Sequence, residues 1–288
     1  MTDYSIALNS QTLALGRKTH VMGIVNVTPD SFSDGGRFFD AEAAVTHGLK
    51  LVEEGADILD IGGESTRPFS EPVSAEEESR RVIPVIEALA KSAAVPISID
   101  TTKASVARRA LNAGASIIND VSALRLDPEL AEVAAGSAVP IILMHMLGTP
   151  RTMQKSPHYD DVVGEIKSFL AAAIQRAMQH GIARDRIIVD PGIGFGKTLE
   201  HNLLLLQNLK AFADLGATIL IGPSRKAFIR NLLKGPDRDD LPADLPAVET
   251  GTQAAVSVAA LNGAHIVRVH DVARTVSTLR IIDAIKAV

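Results

Sequence analysis

The chain has 288 residues, of which 46% are hydrophobic and 22% charged, and its net charge is −5. This acidic balance argues against a nucleic-acid-binding protein, which needs a basic face, and the absence of cysteine excludes disulfides, thiolate metal sites and cysteine nucleophiles. The amino terminus has no signal-peptide pattern and no apolar run approaches the roughly 20 residues of a membrane span, so we expect a cytoplasmic protein.

Eight short apolar runs rich in β-branched residues predict the strands. The runs are continuous rather than alternating, which indicates strands buried on both faces of a parallel sheet. In chain order they lie at 20–27, 56–62, 95–100, 115–121, 139–145, 186–192, 217–224 and 265–270.

A longer amphipathic segment follows each run and predicts a helix. These segments lie at 41–55, 74–91, 104–114, 127–136, 160–181, 199–216, 251–263 and 271–288. Eight strands alternating with eight helices predict an α/β fold, a (β/α)8 TIM barrel, as a single domain over residues 1–288. The rival is a doubly wound open sheet, which the count of eight and the lack of an early dinucleotide-binding fingerprint disfavour.

Two segments are expected to lie outside the repeating units. Residues of about 1–18 form a lead-in, in which about 4–16 are expected to make a short hairpin that closes the bottom of the barrel. Residues 234–248 are rich in Pro and Asp and predict an exposed insertion before the last helix pair.

Every predicted strand ends in polar or charged residues, and in such barrels these ends face the active site. In order they are Asn26, Asp60, Asp100, Asn119 with Asp120, Met144 with His145, Asp190, the segment 222–226, and Arg268 with His270 and Asp271. A single strand-end Asp usually caps a helix or bonds a loop amide, and we keep that interpretation for Asp60, Asp120 and Asp271. Eight polar ends at one face predict a polar ligand, because buried polar groups need partners.

These residues divide into two chemical groups. Asp100, Asn119 and Asp190 offer acceptors that suit a ring with N–H donors, such as the guanidine-like edge of a pterin or guanine. The second group is basic and suits a phosphate or another anion. It consists of Arg67, Lys226, Arg268 and His270. Arg225 either joins this group or is a solvated charge.

Two further features resemble functional motifs but do not meet the requirements of those motifs. The segment GIGFGKT at 192–198 resembles a phosphate-binding loop, but Pro191 breaks the Walker pattern and Lys197 breaks GxGxxG. Its glycines are expected to let the backbone approach a flat ligand, with Phe195 as a wall. His145 is expected to be packed rather than to bind a metal. A Mg²⁺ ion held partly by substrate phosphates would need only one or two protein oxygens.

Seven strings resemble the motifs of the dihydropteroate synthase family, in the family's order, from about residue 21 to the last helix. They are MGIVNVTPDSFSDGG (22–36), DIGGESTRP (60–68), ISIDTTK (97–103), IINDVSAL (117–124), DPGIGFGKTLEHN (190–202), GPSRKAFI (222–229) and GAHIVRVHDV (263–272). These enzymes of folate biosynthesis join 6-hydroxymethyl-7,8-dihydropterin diphosphate to 4-aminobenzoate and release diphosphate. The resemblance implies a TIM barrel and a homodimer.

The resemblance also implies roles for individual residues. The pterin would contact Asp100, Asn119, Asp190, Lys226 and Met144. The diphosphate would be held by Asn26, Arg67, Arg268 and His270, with Asn26 also binding Mg²⁺. The 4-aminobenzoate side would be lined by Thr66, Pro68, Phe195 and Ser224, beside Lys226. Phe69 stands where Gly is expected and puts the precise conformation of the second loop in doubt. Pro223 is another departure from the family pattern, and it stiffens the approach to Ser224.

The implied chemistry needs no nucleophilic side chain. The diphosphate leaves a methylene that the electron-rich dihydropterin stabilises as a cation, and the aryl amine captures it. Water must be kept out, so residues 28–36 are expected to form a lid with Gly35 and Gly36 as hinges. Phe32 either covers the reacting centre or packs on the barrel rim, and Asp34 orders the lid against Arg67 or the incoming amine.

Three rival functions remain to be weighed. A pterin-binding methyl-transfer domain would not need the loop 26–36, Arg67 or Lys226. An inactive paralogue is disfavoured by the intact polar set. A non-enzymatic binding protein or scaffold is disfavoured because eight polar strand ends destabilise a protein that has no ligand for them.

Overall fold

The strands lie where the apolar runs predict them. The computed structural model describes residues 4–8, 12–28, 37–65, 70–236 and 240–288, with the backbone alone for 37–40. Its strands are β1 Tyr4–Ala7, β2 Thr12–Leu15, β3 His20–Asn26, β4 Ile58–Gly62, β5 Ile97–Asp100, β6 Ile117–Asp120, β7 Ile141–Met144, β8 Ile187–Asp190, β9 Thr218–Ile221 and β10 Ile266–Val269. Strands β3 to β10 are parallel and form a closed barrel in chain order, with β10 beside β3, which confirms the predicted TIM barrel.

Helices connect the strands on the outside of the barrel. They are α1 Arg37–Glu53, α2 Ala75–Ser92, α3 Ala104–Asn112, α4 Glu129–Ser137, α5 Val162–Gln179, α6 Leu199–Gln207, α7 Ala227–Leu233, α8 Pro246–Leu261 and α9 Val272–Lys286. Short 3-10 helices span Arg184–Arg186 and Leu209–Leu215. In the described part of the chain, no helix is long and apolar enough to cross a bilayer.

Two apolar layers hold the barrel together, because successive strand side chains point to opposite faces. Outward-facing residues such as Leu59, Ile118 and Val267 pack under the helices in the larger core. Inward-facing residues fill the lower half of the barrel interior. They are Met22, Ile58, Ile117, Ile142, Ile188, Leu220 and Ile266.

The amino-terminal strands β1 and β2 form an antiparallel hairpin with Tyr4 opposite Leu15. Its buried Ile6 and Leu15 join the inward-facing apolar layer of the barrel. The members of that layer stand at or near the amino ends of their strands, so the hairpin covers that end of the barrel and leaves the carboxyl end for the site.

The structure corrects the predicted helices in three places. The helix predicted at 199–216 is α6 followed by a 3-10 turn, and α7 was not predicted at all. The insertion predicted at 234–248 is shorter, because α8 begins at Pro246, five residues before the predicted start. Leu241 and Val248 are buried there rather than exposed.

Candidate active site

Strand register brings Asn26, predicted for the diphosphate, near the predicted pterin residues Asp100 and Asn119. Asn26 of β3 lies beside Gly62 of β4, and Gly62 lies beside Asp100 of β5. Asp100 in turn lies beside Asn119 of β6. These positions are all at the carboxyl ends of their strands, so four neighbouring strands contribute to one edge of the site.

The polar residues share the inward face with the apolar layer below them. Asp60, Asn119 and Asp190 each follow an inward-facing isoleucine by two residues, so their side chains also point inside the barrel. Arg268 stands in the same relation to Ile266. The barrel interior therefore changes from apolar to polar within one strand step, and the polar level forms the floor of the site.

A buried ion-pair network joins this floor. The Arg268 guanidinium donates to Asp60 from Nε at 2.5 Å and to Asp100 from Nη2 at 2.8 Å. Asn119 Nδ2 donates to the same Asp60 oxygen, Oδ2, at 3.0 Å. Asp60 is fully buried and Asn119 nearly so. The acceptor and basic groups predicted as separate ends of the pocket are thus in direct contact.

The interpretation of Asp60 as a helix cap or loop anchor is wrong. Its carboxylate bonds Arg268 and Asn119 inside the barrel, because it lies within β4 with the same parity as Ile58. The spacing of two residues from Ile58 could have indicated from the sequence that Asp60 points into the barrel. The same interpretation is confirmed for Asp120, which accepts from the Ser122 and Leu124 amides. It is also confirmed for Asp271, which caps α9.

Burial favours the neutral form of the two pterin-side carboxyl groups. Burial raises the pKa of Asp100 to about 7, against the opposing effect of the Arg268 cation. It raises the pKa of Asp190 to about 6, although Gly192 N donates to Asp190 Oδ1 at 2.7 Å. Both carboxyl groups therefore change charge near neutral pH, where a ligand with N–H donors would favour the charged form.

An apolar wall stands beside these carboxylates. Met144 of β7 lies next to Asp190 of β8 in register. It packs in a separate small core together with Val121, Met146, Met153 and Phe195. The Lys226 ammonium lies over the Phe195 ring, 4.1 Å from its centroid, as in a cation–π contact. Lys226 thus lies on Phe195, which shares a small core with Met144, and the three residues offer an apolar surface with a cation on it.

Side-chain donors hold the backbone of the glycine-rich loop 191–197. Gln154 donates to Gly194 O at 3.0 Å, Lys197 to Phe195 O at 3.0 Å and Tyr159 to Gly196 O at 2.9 Å. A Cβ at Gly192 would stand 1.9 Å from the carbonyl oxygen of His145, so glycine is required there. The loop is fixed, and it carries Phe195 with it.

Lys197 is a buried residue whose role the sequence does not predict. Its ammonium lies 3.0 Å from His145 Nδ1, and burial lowers the pKa of Lys197 to about 7. His145 is packed, as expected, with its ring edge-on to Phe169 at 4.8 Å. Burial lowers the pKa of His145 to about 2, so its imidazole is neutral and its Nδ1 faces Lys197.

The basic end of the site includes an ordered serine–histidine pair. Ser224 Oγ lies 2.9 Å from His270 Nδ1, and the same hydroxyl accepts from the His270 amide at 3.2 Å. Arg225 matches neither alternative proposed for it. Its Nε lies 3.4 Å from Glu249 Oε2, and Glu249 is nearly fully buried on α8, so Arg225 points to that helix instead of the site.

A second ion-pair network lies under the loop after β4. Lys103 Nζ donates to Glu64 at 2.7 Å and to Glu78 at 2.6 Å. Glu64 also accepts from Val73 N at 2.8 Å, so both ends of the segment 64–73 are tied together. Glu64 and Lys103 belong to quoted motifs, but nothing in a single sequence indicates that they pair.

Asn26 is the one protein ligand predicted for Mg²⁺, through its side-chain oxygen. Asn26 is half-buried at the end of β3, and its side chain forms no hydrogen bond with the described residues. Among those residues, no group of three or more His, Asp and Glu side chains could hold a metal. A carboxamide oxygen suits a hard cation that takes its other ligands from substrate oxygens, so the site fits Mg²⁺ only in that form.

Several predicted residues lie outside the residues that the structure describes. They are Phe32 and Asp34 with the hinge glycines Gly35 and Gly36, and Thr66, Arg67, Pro68 and Phe69 of the second loop. Their expected roles stay predictions.

Known proteins resemble this chain both in sequence and in fold. The chain matches the family model of pterin binding enzymes over residues 22–270. It is 47% identical over 270 residues to the dihydropteroate synthase of Synechocystis sp., covering 94% of this chain and 91% of that protein. The Xanthomonas albilineans dihydropteroate synthase solved with 4-aminobenzoic acid has a TM-score of 0.90 at 48% identity over 100% of both chains. The same enzyme in complex with 7,8-dihydropteroate has a TM-score of 0.85 at 46% identity over 99% of both chains.

Proposed function

The chain belongs to the dihydropteroate synthase family of pterin binding enzymes, and we propose that the polar floor and apolar wall of its barrel mouth perform that family's reaction. It joins 6-hydroxymethyl-7,8-dihydropterin diphosphate to 4-aminobenzoate and gives 7,8-dihydropteroate and diphosphate. The C–O bond between the pterin methylene and the diphosphate breaks. A C–N bond to the aryl amine forms, and the amine loses one proton.

The observation that carries this proposal is the buried contact between acceptors and a cation on the floor. Asp100, Asn119 and Asp190 present oxygens to a ring edge that bears N–H donors. Ionised carboxylates pair strongly with such an edge. Arg268, already held by Asp60 and Asp100, brings a cation to the same floor. A ligand with N–H donors at one end and an anion at the other fits this arrangement.

We assign pterin binding to Asp100, Asn119, Asp190, Lys226 and Met144. The pterin ring packs on Met144, which shares a small core with Phe195, and it borders Lys226, whose ammonium covers the Phe195 ring. A fixed loop backbone behind Phe195 keeps that wall in place. The wall orients the pterin so that its methylene faces the basic end of the site.

We assign diphosphate binding to Arg268 and His270, with Asn26 and Arg67. Ser224 orients the His270 ring through Nδ1, and we propose that this ring contacts the leaving group. When bound, Mg²⁺ would neutralise charge that develops on the departing diphosphate, and Asn26 is the residue that we propose to hold it. Thr66, Pro68, Phe195 and Ser224 are proposed for the 4-aminobenzoate side, and Phe32 and Asp34 for keeping water out.

The decisive experiment mixes the purified protein with the pterin diphosphate, 4-aminobenzoate and Mg²⁺ and follows dihydropteroate by chromatography. We expect stoichiometric release of diphosphate with dihydropteroate. A matched Lys226→Ala protein, checked for folding by circular dichroism, should form product at a rate at least about 100-fold lower, as for the loss of a group that binds at the reacting centre. Binding of pterin without any product from the unchanged protein would contradict the assignment.

We further propose a homodimer, whose cytoplasmic location stays a prediction. Exposed apolar side chains gather on α6, α7 and α8, which pack against one another. They are Leu199, Leu203, Leu232, Leu233, Val258 and Leu261. Apolar side chains concentrated on neighbouring helices favour a protein partner, and a second copy of this chain is the partner that we propose.

A further inference from the structure

We propose that Asp60 is a specificity-determining residue that acts through Asn119: it fixes the orientation of the Asn119 carboxamide so that its oxygen faces the ligand. The inference rests on the proposed function, in which Asn119 contacts the pterin edge. Asp60 itself is a positioning residue, because among the described residues its carboxylate bonds Asn119 and Arg268, and it acts on the ligand through them.

The contacts of Asp60 converge on one atom. Asp60 Oδ2 accepts from Arg268 Nε at 2.5 Å and from Asn119 Nδ2 at 3.0 Å. Asp60 Oδ1 is buried and accepts no hydrogen bond from the described residues. The cation thus holds the carboxylate in place, and the carboxylate holds the amide.

The chemistry of the two side chains decides which way the amide points. An ionised carboxylate only accepts hydrogen bonds, whereas a carboxamide has one donor end and one acceptor end. Reversing the Asn119 amide would place its oxygen against Asp60 Oδ2, with a lost hydrogen bond and repulsion between two acceptors. Asn119 Nδ2 therefore faces Asp60, and Asn119 Oδ1 faces away from it.

The strand arrangement makes this contact reach across the barrel floor. Asp60 lies on β4 and Asn119 on β6, and β5 stands between them. On β5 the register neighbour of Asp60 is Ser98, a small and fully buried residue. Its short side chain leaves the space through which Asp60 and Asn119 meet.

The consequence is that the three residues proposed to contact the pterin edge present acceptors to it. Asn119 Oδ1 joins the carboxylates of Asp100 and Asp190, so all three groups select N–H donors. A 2-amino-4-oxopteridine offers an amino group to this edge, whereas a 2,4-dioxopteridine offers a carbonyl oxygen there. Asp60 thereby favours the amino compound, although it does not contact either compound.

The test compares the binding of 6-hydroxymethylpterin and its 2,4-dioxo counterpart by calorimetry, without any turnover. We expect the unchanged protein to prefer the amino compound by about 10- to 100-fold, because a wrong pairing leaves buried polar groups unsatisfied. In Asp60→Asn the amide at 60 accepts either orientation of Asn119, so the preference should fall to about threefold or less. Asp120→Asn, which changes another buried carboxylate with a loop role, is the matched control and should keep the full preference.

A charge exchange provides a second, independent test. Asn119→Asp places two carboxylates against each other and should lose pterin binding by about 10-fold or more. In the double variant Asp60→Asn with Asn119→Asp, the amide at position 60 can donate to the carboxylate at position 119. This restores the hydrogen bond in the reverse direction, so the double variant should regain most of that affinity. Recovery keeps the proposal even if Asp60→Asn alone fails to fold.

The outcomes separate this inference from the function on which it rests. If Asn119→Ala weakens pterin binding but Asp60→Asn keeps the full preference, Asp60 does not orient Asn119 and only the inference is overturned. An Asn119→Asp protein that binds pterin as well as the unchanged protein overturns it too. If no change at either position alters pterin binding, Asn119 does not contact the pterin and the proposed pterin site is wrong as well.

Discussion

Lys226 and Phe195 are held in contact from two sides of the barrel mouth, with the ammonium 4.1 Å from the ring centroid. Phe195 belongs to a loop whose carbonyl groups are fixed by side-chain donors. Lys226 precedes the first turn of α7. The pair gives the site one surface that is both flat and positively charged, which suits an aromatic ring next to a developing anion.

Phe195→Leu should separate the aromatic face from mere burial. Leucine keeps an apolar wall but loses the ring under Lys226, a contact worth about 0.5–2 kcal/mol. We expect KM for 4-aminobenzoate to rise by about 3- to 30-fold, as for the loss of an aromatic contact of similar energy with the substrate, and the melting temperature to fall by a few degrees because the contact with Lys226 is lost too. Steady-state kinetics with each substrate in turn measures this. Leu126→Ala, an exposed residue elsewhere on the surface, is the control; an unchanged KM in Phe195→Leu would show that the ring has no special role.

Arg268→Ala should impair both folding stability and catalysis. Arg268 is paired with two buried carboxylates, and removing one partner of a buried ion pair destabilises a protein by about 3–5 kcal/mol. The loss should be smaller at low pH, because the Arg268 cation lowers the pKa of Asp100 and its removal makes protonation of Asp100 easier. Urea unfolding at pH 5.5 and pH 8 measures this.

Arg274→Ala is the control, because Arg274 pairs with Asp271 at the exposed start of α9. Equal destabilisation of the two variants would mean that the buried network contributes no more than a surface pair.

The sequence predicts the barrel well, because its strands are buried on both faces and leave long apolar runs. It does not predict α7, whose seven residues are too few for a clear helical period. Residues at strand ends such as Asp100, Asn119 and Asp190 could be selected because barrel topology alone brings strand ends together.

It is harder to predict which site residues contact each other than to predict which residues lie in the site. That Asp60 meets Asn119, or that Arg225 turns to Glu249, depends on strand register and helix packing. A single sequence does not contain this information. Asp60 belongs to the motif DIGGESTRP, but its contact with Asn119 can be recognised only from the arrangement of β4, β5 and β6.

Asp190→Asn should change the dependence of stability on pH. The pKa of Asp190 is raised in the folded protein to about 6 from an ordinary value of 3.8. The folded state therefore binds more protons than the unfolded state between about pH 4 and 6, and this contribution to stability is lost as pH rises through that window. We expect the stability of Asp190→Asn minus that of the unchanged protein to be larger at pH 7.5 than at pH 4.5.

Calorimetry at the two pH values measures the difference, with Asp214→Asn as the control because Asp214 is largely exposed in its pair with Lys167. Pterin affinity of the unchanged protein should rise through pH 6 to 7 as Asp190 and Asp100 ionise. An affinity that is flat across this range would argue against carboxylate contacts to the pterin.

Leu232→Glu combined with Leu261→Glu should yield a monomer. The two leucines are about half exposed on α7 and α8, and a charge in an apolar interface is strongly unfavourable. Light scattering after gel filtration measures the mass. Leu126→Glu has a similar exposure outside these helices and should leave the mass unchanged. A monomeric unchanged protein would contradict the proposed dimer, and an unaltered dimer in the double variant would place the interface elsewhere.

Lys197→Met should reveal a buried lysine whose charge is unfavourable near neutral pH. Burial lowers the pKa of Lys197 to about 7 from an ordinary value of 10.5. The unfolded state therefore binds more protons between about pH 7 and 10.5, and the stability of the unchanged protein should rise with pH in that window. Lys197→Met removes this rise, and it also removes the donor to Phe195 O. We expect the unchanged protein to gain stability over Lys197→Met from pH 7 to pH 9, and the variant to bind both substrates more weakly because Phe195 is no longer fixed. Lys167→Met, on a lysine that is partly exposed and pairs with Asp214 at the surface, should show neither effect. A pH-independent difference for Lys197→Met would mean that Lys197 stays charged throughout.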